Sequence, residues 1–424
     1  MSGTSPHTFL TPGSPEAHLL LACARTTLDP EVVEKIRGLL KHQLNWDYVL
    51  QKAEEHFVMP LVCRSLDSFA EAVPKEILQR LHNDFFAHAR RNLFYTGELL
   101  KLLASMEEHG IKAVPYKGPV LSASAYGSVV LRTFIDLDIL VHERDILRTK
   151  ELLLSRGFHT VKTQLTRAQE EARLRSRDQK DIVFVHPGLP IRVELHWRVA
   201  SLFLFPLDSD PLWQRLGTIT LGGARVSNLS AEDMLLVLCV HGAKHSFKRL
   251  QWICDIAELI RANPHMDWNQ VLKRARNLRS VRMLSLGLSL ASNLLGATMP
   301  REVTLTIESD PEVKSVAARV LALLFPSNGG ISLALTGSYF HVNLKEEWTD
   351  RTRLRLRYYL HKLTHALRPN VRDTHLLPLP ELLSFLYYLV RPIRVAKIYG
   401  LGRLMQLVGH GKRQGEPREH HKPQ

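Results

Sequence analysis

The sequence predicts an α+β protein, with a mixed β-sheet over residues 110–228 set between helical regions at 16–109 and 229–408. Three observations carry this expectation. Apolar residues recur at three- and four-residue spacing through most of the first hundred residues and again beyond Ser230. From Gly110 the period shortens to two, and glycine and proline punctuate that middle stretch at the ends of short apolar runs.

Composition sets the limits. The chain has 424 residues, 45% of them hydrophobic and 23% charged, enough for a substantial core in two or three domains. Cys23, Cys63, Cys239 and Cys254 show no C-x-x-C spacing, so neither a zinc knot nor a disulfide framework is indicated, and a reducing cytoplasm suits them. The first residues have no basic stretch followed by an apolar one, and no later run is long and apolar enough to span a bilayer. A soluble, cytoplasmic protein is expected. The formal charge is +14, and from Lys345 onward sixteen Lys and Arg face seven Asp and Glu. Such an excess favours nucleic acid, nucleotides or an anionic membrane surface, or else forms a solvated basic face with a loose tail.

Residues 1–15 are rich in Ser, Thr, Gly and Pro and read as a disordered tail. Helical periodicity follows at 45–55, 74–86 and 87–108, the last with Leu93, Thr96, Leu99, Leu100, Leu103 and Met106 on one stripe and Gly110 as its stop. Residues 111–116 read as a strand leading through Lys117 and Gly118 into a short helix that Pro119 opens and Tyr126 ends. A helix start after a glycine turn suits a phosphate, through free N–H groups and the helix dipole; a plain strand-to-helix turn is the alternative.

Next comes a strand at 132–141. In it Ile135, Leu137 and Ile139 would face one way, and Asp136 and Asp138 the other. Two carboxylates on one face repel unless a cation compensates, and the usual cation is a divalent metal. A helix at 143–156 and a strand at 158–163 follow, then a charged segment at 167–180 that is helical or an exposed loop. Residues 181–186 and 191–197 form a hairpin whose second strand puts Arg192, Glu194 and His196 on its polar face. Laid beside the aspartate strand, it would gather three carboxylates. A second hairpin, at 218–227, turns at Gly222 and Gly223. Ser230 to Asp233 has the form of a capping box, and helices follow at 234–247, 252–262, 269–295, 311–325 and 348–367. The apolar segment 376–390 is too short to cross a membrane and reads as a buried helix, with peripheral membrane contact as the alternative. The tail 409–424 reads as basic and disordered.

The order Lys117-Gly118, Tyr126, Arg132, Asp136-x-Asp138, Glu194-Leu-His196-Trp197 and His241-Gly-Ala-Lys244-His245 resembles the uncharacterised bacterial nucleotidyltransferase family, itself similar to the DNA polymerase beta superfamily. The resemblance is most specific between Lys117 and Trp197. It implies a nucleotidyltransferase-like core at 110–228, Gly118 at the turn holding the triphosphate, and Asp136, Asp138 and Glu194 as ligands of two Mg²⁺ ions, with Mn²⁺ as the alternative. The family's turn is Gly followed by Ser or Gly, whereas this chain has Gly118-Pro119. The implied reaction moves a nucleoside monophosphate from a nucleoside triphosphate to a hydroxyl acceptor that the sequence does not identify. The competing expectation is a nucleotide-binding or interaction protein that keeps the fold and does no chemistry. Lys117 or Arg132 would neutralise phosphates. His241 and His245 share a helix face but lack the H-E-x-x-H form, so no zinc site is expected there; the resemblance implies that they lie near the active site with Lys244 contacting phosphate, the alternative being simple helix packing. His196 would orient Glu194, touch substrate or serve structure, and Asp255 would pair with Lys248, Arg249 or a histidine.

Overall fold

The computed structural model describes residues 13–161, 167–202, 204–207 and 209–326, with Leu344, Thr352 and Leu356 as isolated positions. The chain divides into Met1–Glu346 and Glu347–Gln424, and every described element lies in the first unit. Residues 1–12, the helices expected at 348–367 and 376–390, and the basic tail lie outside the described residues.

Four helices open the chain: α1 (Pro15–Cys23), α2 (Pro30–Leu40), α3 (Trp46–Glu55) and α4 (Met59–Asp67). The first three start at side-chain caps, with Ser14, Asp29 and Asn45 accepting from backbone N–H groups three residues on. Helix α5 (Lys75–Glu108) then runs unbroken for 34 residues and joins the helical stretches expected at 74–86 and 87–108. Gly110, at φ +65°, ends it as expected. Its buried face is rotated from the expected stripe: Asn92, Tyr95, Thr96, Leu99, Leu102 and Met106 are covered, while Leu93 is 56% exposed. The cause is polar. The Asn92 amide donates to the carbonyls of Val129 and Arg132, which turns that side of α5 toward the sheet.

The mixed sheet has the order β1-β2-β5-β4-β3. Strand β1 (Ala113–Pro115) pairs antiparallel with β2 (Leu137–Val141), which pairs parallel with β5 (Leu189–His196). Strands β4 (Asp181–His186) and β3 (His159–Thr160) continue the sheet antiparallel beyond β5. Between these strands lie α6 (Gly118–Tyr126), α7 (Ile146–Ser155) and α8 (Arg167–Arg175), so the charged segment is helical. The aspartate strand is shorter than expected. It starts at Leu137, leaving Asp136 at its mouth and Ile135 45% exposed.

One face of the sheet buries Leu137, Ile139, Phe184, Val193, Leu195 and Trp197 with Tyr95, Leu99 and Met106 of α5. A buried side chain of this size contributes roughly 1.5–3 kcal/mol. On the other face Tyr116 and Leu140 join the helical core. After α9 (Ser209–Trp213), β6 (Gly217–Leu221) and β7 (Ala224–Asn228) form the second hairpin, with Gly222 and Gly223 at positive φ as such a turn requires.

Helix α10 (Ala231–Lys244) begins with Ser230 accepting from the Asp233 N–H, as the capping pattern predicts. Beyond it are α11 (Leu250–Ala262), α12 (Trp268–Asn277), α13 (Val281–Leu295), α14 (Arg301–Glu308) and α15 (Pro311–Leu324). The single helix expected at 269–295 is therefore two, separated at Arg279, whose φ of +49° breaks the helical path. Helices α10 to α15 share one apolar core with α1 to α4. All four cysteines are buried and free.

Candidate active site

The parallel register sets Asp138 of β2 directly opposite Glu194 of β5. The pairing follows from alternation: once Leu137, Ile139, Val193 and Leu195 are buried on one face, the residues between them must face the other. Asp138 is 3% exposed and makes two close contacts, Lys117 Nζ at 2.9 Å and His196 Nε2 at 3.0 Å. Glu194 Oε2 is 3.6 Å from the same His196 nitrogen, and Glu194 Oε1 accepts from Arg192 Nη2 at 3.1 Å. His196 thus orients Asp138 more closely than it does Glu194. The Tyr116 ring packs edge-on against His196, with centroids 5.3 Å apart.

Burial works against charge on Asp138, but Lys117 and His196 outweigh it and hold its carboxyl well below the usual range. Asp136 goes the other way. Burial, then the negative charge of Asp138, push it up to about 6 against the pull of Lys117. Burial also disfavours the Lys117 ammonium, yet Asp138 and Asp136 overcome that and raise its pKa. Burial and then Lys180 lower the pKa of His196, so its ring is neutral near pH 7 with the Nε2 proton directed at Asp138 and Nδ1 buried without a partner among the described residues.

Asp136, Asp138 and Glu194 line one cavity of about 700 Å³. Lys117 and Gly118 border it from the start of α6. Gly118 has φ +52°, and a Cβ there would lie 3.4 Å from the Asp136 carbonyl, so the glycine brings α6 against the aspartate segment. The helix start is poor in donors. Pro119 has no N–H and the Val120 N–H donates to the Lys117 carbonyl, leaving at most the Gly118 N–H for a phosphate.

The opposite wall comes from α10 and α11. His241, Lys244 and His245 all face the cavity, with Trp252 beside them. The His241 and His245 rings are 4.8 Å apart, and Trp252 lies 5.5 and 5.3 Å from them. Burial, followed by Lys117 for His241 and Lys244 for His245, lowers both pKa values, that of His245 to about 4. Burial and then Lys180 lower the pKa of Lys244, against the pull of Asp181. The geometry of the turn after α10 makes the wall possible. Ser246 and Phe247 both adopt positive φ, and the Phe247 ring fills the space beside Gly242, so that a Cβ on that glycine would fall 2.1 Å from a ring carbon.

Arg132 departs from expectation. Its guanidinium, expected at the phosphates, is spent on Asp255, with Nε donating to Oδ1 at 2.7 Å and Nη2 to Oδ2 at 2.9 Å. The Tyr126 hydroxyl donates to the same Oδ1 at 2.6 Å. Asp255 therefore pairs with Arg132 and Tyr126, not with Lys248, Arg249 or a histidine, because α11 packs against α6 and brings the carboxylate to them. This buried fork ties the end of α6 and the approach to Asp136 onto α11.

Sequence reasoning did not place Lys180, Asp181, Lys248 and Arg249 at the site, yet all four line the cavity. Asp181 had a readable signal, since it opens the strand beside β5 and stands opposite His196. Arg249 had none; its position follows from the turn after α10, where its guanidinium stacks 3.9 Å from the Phe57 ring centroid.

The profile of the uncharacterised nucleotidyltransferase family matches residues 42–296, which include every element lining this cavity. The chain belongs to that family. No curated protein matches it. Among solved structures, an antigenic nucleotidyltransferase-like protein from Paracoccidioides brasiliensis is similar at 18% identity over 49% of this chain and 95% of its own, with a TM-score of 0.31.

Family membership raises the question of a divalent ion, and the donor set answers it. Asp138, Glu194 and His196 each offer a ligand atom, all within 4.8 Å of one another, and Asp136 is a fourth donor residue at the strand mouth. Hard carboxylate oxygens suit Mg²⁺ or Mn²⁺. Burial first, and then the charge of Asp138, raise the pKa of Asp136, so a cation at the strand mouth would favour its ionised form. These residues fit a divalent ion.

Proposed function

We propose that this protein transfers a nucleoside monophosphate from a nucleoside triphosphate to a hydroxyl acceptor. The observation that carries the reading is the in-register pairing of Asp138 with Glu194, with Asp136 adjacent, in a cavity whose far wall bears Lys244. Asp136, Asp138 and Glu194 would hold the divalent ions. Ions so held neutralise phosphate charge and lower the pKa of an attacking hydroxyl.

The remaining work falls to the chain's own side chains. Lys244 of α10 and Lys180, which precedes β4, receive the phosphates, because both ammonium groups border the cavity and can pair with an anion in it. The poor donor supply at Gly118 makes these lysines the main phosphate contacts. Glu194, less buried than Asp138, accepts the acceptor's proton. His196 fixes the Asp138 carboxylate, and the Trp252 ring beside the neutral His245 offers an aromatic contact to a base or sugar.

Calorimetry with ATP, GTP, CTP and UTP, each with and without Mg²⁺, tests binding; pyrophosphate release tests chemistry. Ion-dependent binding and release, both lost in Asp136→Asn and Asp138→Asn, are expected. A second reading has its own observation: Lys117 Nζ, 2.9 Å from Asp138, already supplies a cation to that carboxylate. In that case the protein binds nucleotide without turnover, and triphosphate binds equally well with and without Mg²⁺. Absence of all nucleotide binding overturns both readings.

A further inference from the structure

Away from the cavity, the end of α4 meets α5 at a second group of metal-ligand side chains. Cys63 and Asp67 lie four residues apart on α4, on one helix face, and His82 projects from α5. The Cys63 sulfur, an Asp67 oxygen and a His82 nitrogen all lie within 4.8 Å of one another. We propose that Cys63, Asp67 and His82 form a zinc site that clips the end of α4 to α5.

Three arguments support the site. Sulfur, nitrogen and oxygen together are a donor set for Zn²⁺, not for Mg²⁺ or Ca²⁺. The Cys63 thiol is buried, has no hydrogen-bond partner among the described residues, and faces the other two ligands. The charges balance, since a thiolate and a carboxylate with a neutral imidazole cancel a divalent ion.

The geometry needs only small movements. Tetrahedral zinc with bonds of about 2.0–2.3 Å places its ligand atoms roughly 3.3–3.8 Å apart. His82 Nε2 and Asp67 Oδ1 now stand 2.6 Å apart in a hydrogen bond and would open around the ion. Both are on the surface, 43% and 47% exposed, and Asp67 is the last residue of α4, where a helix end yields easily. Three protein ligands leave one position for water.

Cobalt tests the proposal because it replaces zinc and reports sulfur ligation by colour. The full-length protein, treated with chelator and then desalted, is titrated with Co²⁺. A thiolate-to-cobalt absorption band in the near ultraviolet, saturating at one ion per chain and displaced by Zn²⁺, is expected. No cysteine lies among the candidate ligands of the cavity, so ions bound there cannot produce the band. Cys63→Ser should abolish it, while Asp138→Asn should leave it unchanged. His82→Ala, at a half-exposed position that does not threaten folding, should weaken Co²⁺ binding at least about tenfold. Absence of the band in the wild-type protein, its survival in Cys63→Ser, or unchanged affinity in His82→Ala overturns the site. The outcome is independent of the nucleotidyltransfer reading, because no step requires nucleotide.

Discussion

Removing the Asp255 carboxylate probes the device that holds the aspartate segment in place. Asp255 is 1% exposed and Arg132 7% exposed, and the pair is joined by two hydrogen bonds of 2.7 and 2.9 Å. In Asp255→Ala the Arg132 guanidinium stays buried with no counter-charge, which costs about 3–5 kcal/mol. That is a large share of the roughly 5–15 kcal/mol by which folded domains are stable. At about 2 °C per kcal/mol for a chain of this size, the melting temperature should fall by about 6–10 °C. Tyr126→Phe removes only the 2.6 Å hydrogen bond to Asp255 and should cost about 0.5–1.5 kcal/mol. Replacing both ionic partners, as Arg132→Met with Asp255→Leu, should recover most of the loss because no charge is left buried. The assay is thermal unfolding of the three variants followed by tryptophan fluorescence, with Mn²⁺ binding measured in parallel. If Asp255→Ala melts within about 2 °C of the wild type, the fork is not the anchor described. A double variant no better than Asp255→Ala would show that lost packing, not unpaired charge, sets the cost.

Three further outcomes follow from the same contacts. Glu194→Gln removes one of the proposed ion ligands and should weaken Mn²⁺ binding at least about tenfold, as seen by water-proton relaxation, with little change in melting temperature. His56, buried with Nε2 3.0 Å from the Leu324 carbonyl, is pushed down to about 4 by burial, so the unfolded chain binds its proton first as pH falls. Stability from this group should therefore be complete above about pH 6.5 and be lost by on the order of 3 kcal/mol down to pH 4, and His56→Gln should flatten that slope in pH-dependent unfolding. Gly242→Ala drives a methyl into the Phe247 ring and should cost about 1–3 kcal/mol while displacing the Lys244 wall; Gly242→Ala with Phe247→Leu should melt higher than Gly242→Ala alone.

Much of the fold was legible because it follows from local pattern. The period-two alternation of residues 191–197 specified a strand whose polar face holds Glu194, and Gly222-Gly223 specified a hairpin. The helix opened by Gly118 and Pro119 was legible for the same reason, since positive φ and a missing N–H leave few other structures open. Local pattern misled in two places. Asn92, bonded to carbonyls distant in sequence, turned α5 so that Leu93 faced outward, and a left-handed Arg279 divided one expected helix in two.

The sequence by itself determined that Asp138 and Glu194 stand on the polar faces of their strands, because alternation depends only on neighbouring residues; it did not determine that Asp136 precedes its strand. Only the tertiary structure decided which of these charges meet. It put Glu194 beside Asp138 through a parallel pairing of strands distant in sequence, gave Asp138 the ammonium of Lys117, and committed the Arg132 guanidinium to Asp255. The physical reason is that a charge is stabilised by whatever partner packing brings within a few ångströms, and helix packing selects that partner from the whole chain. Lys180 illustrates the same rule: no motif marked it, yet it reaches the cavity that Lys244 also lines because β4 and α10 converge there.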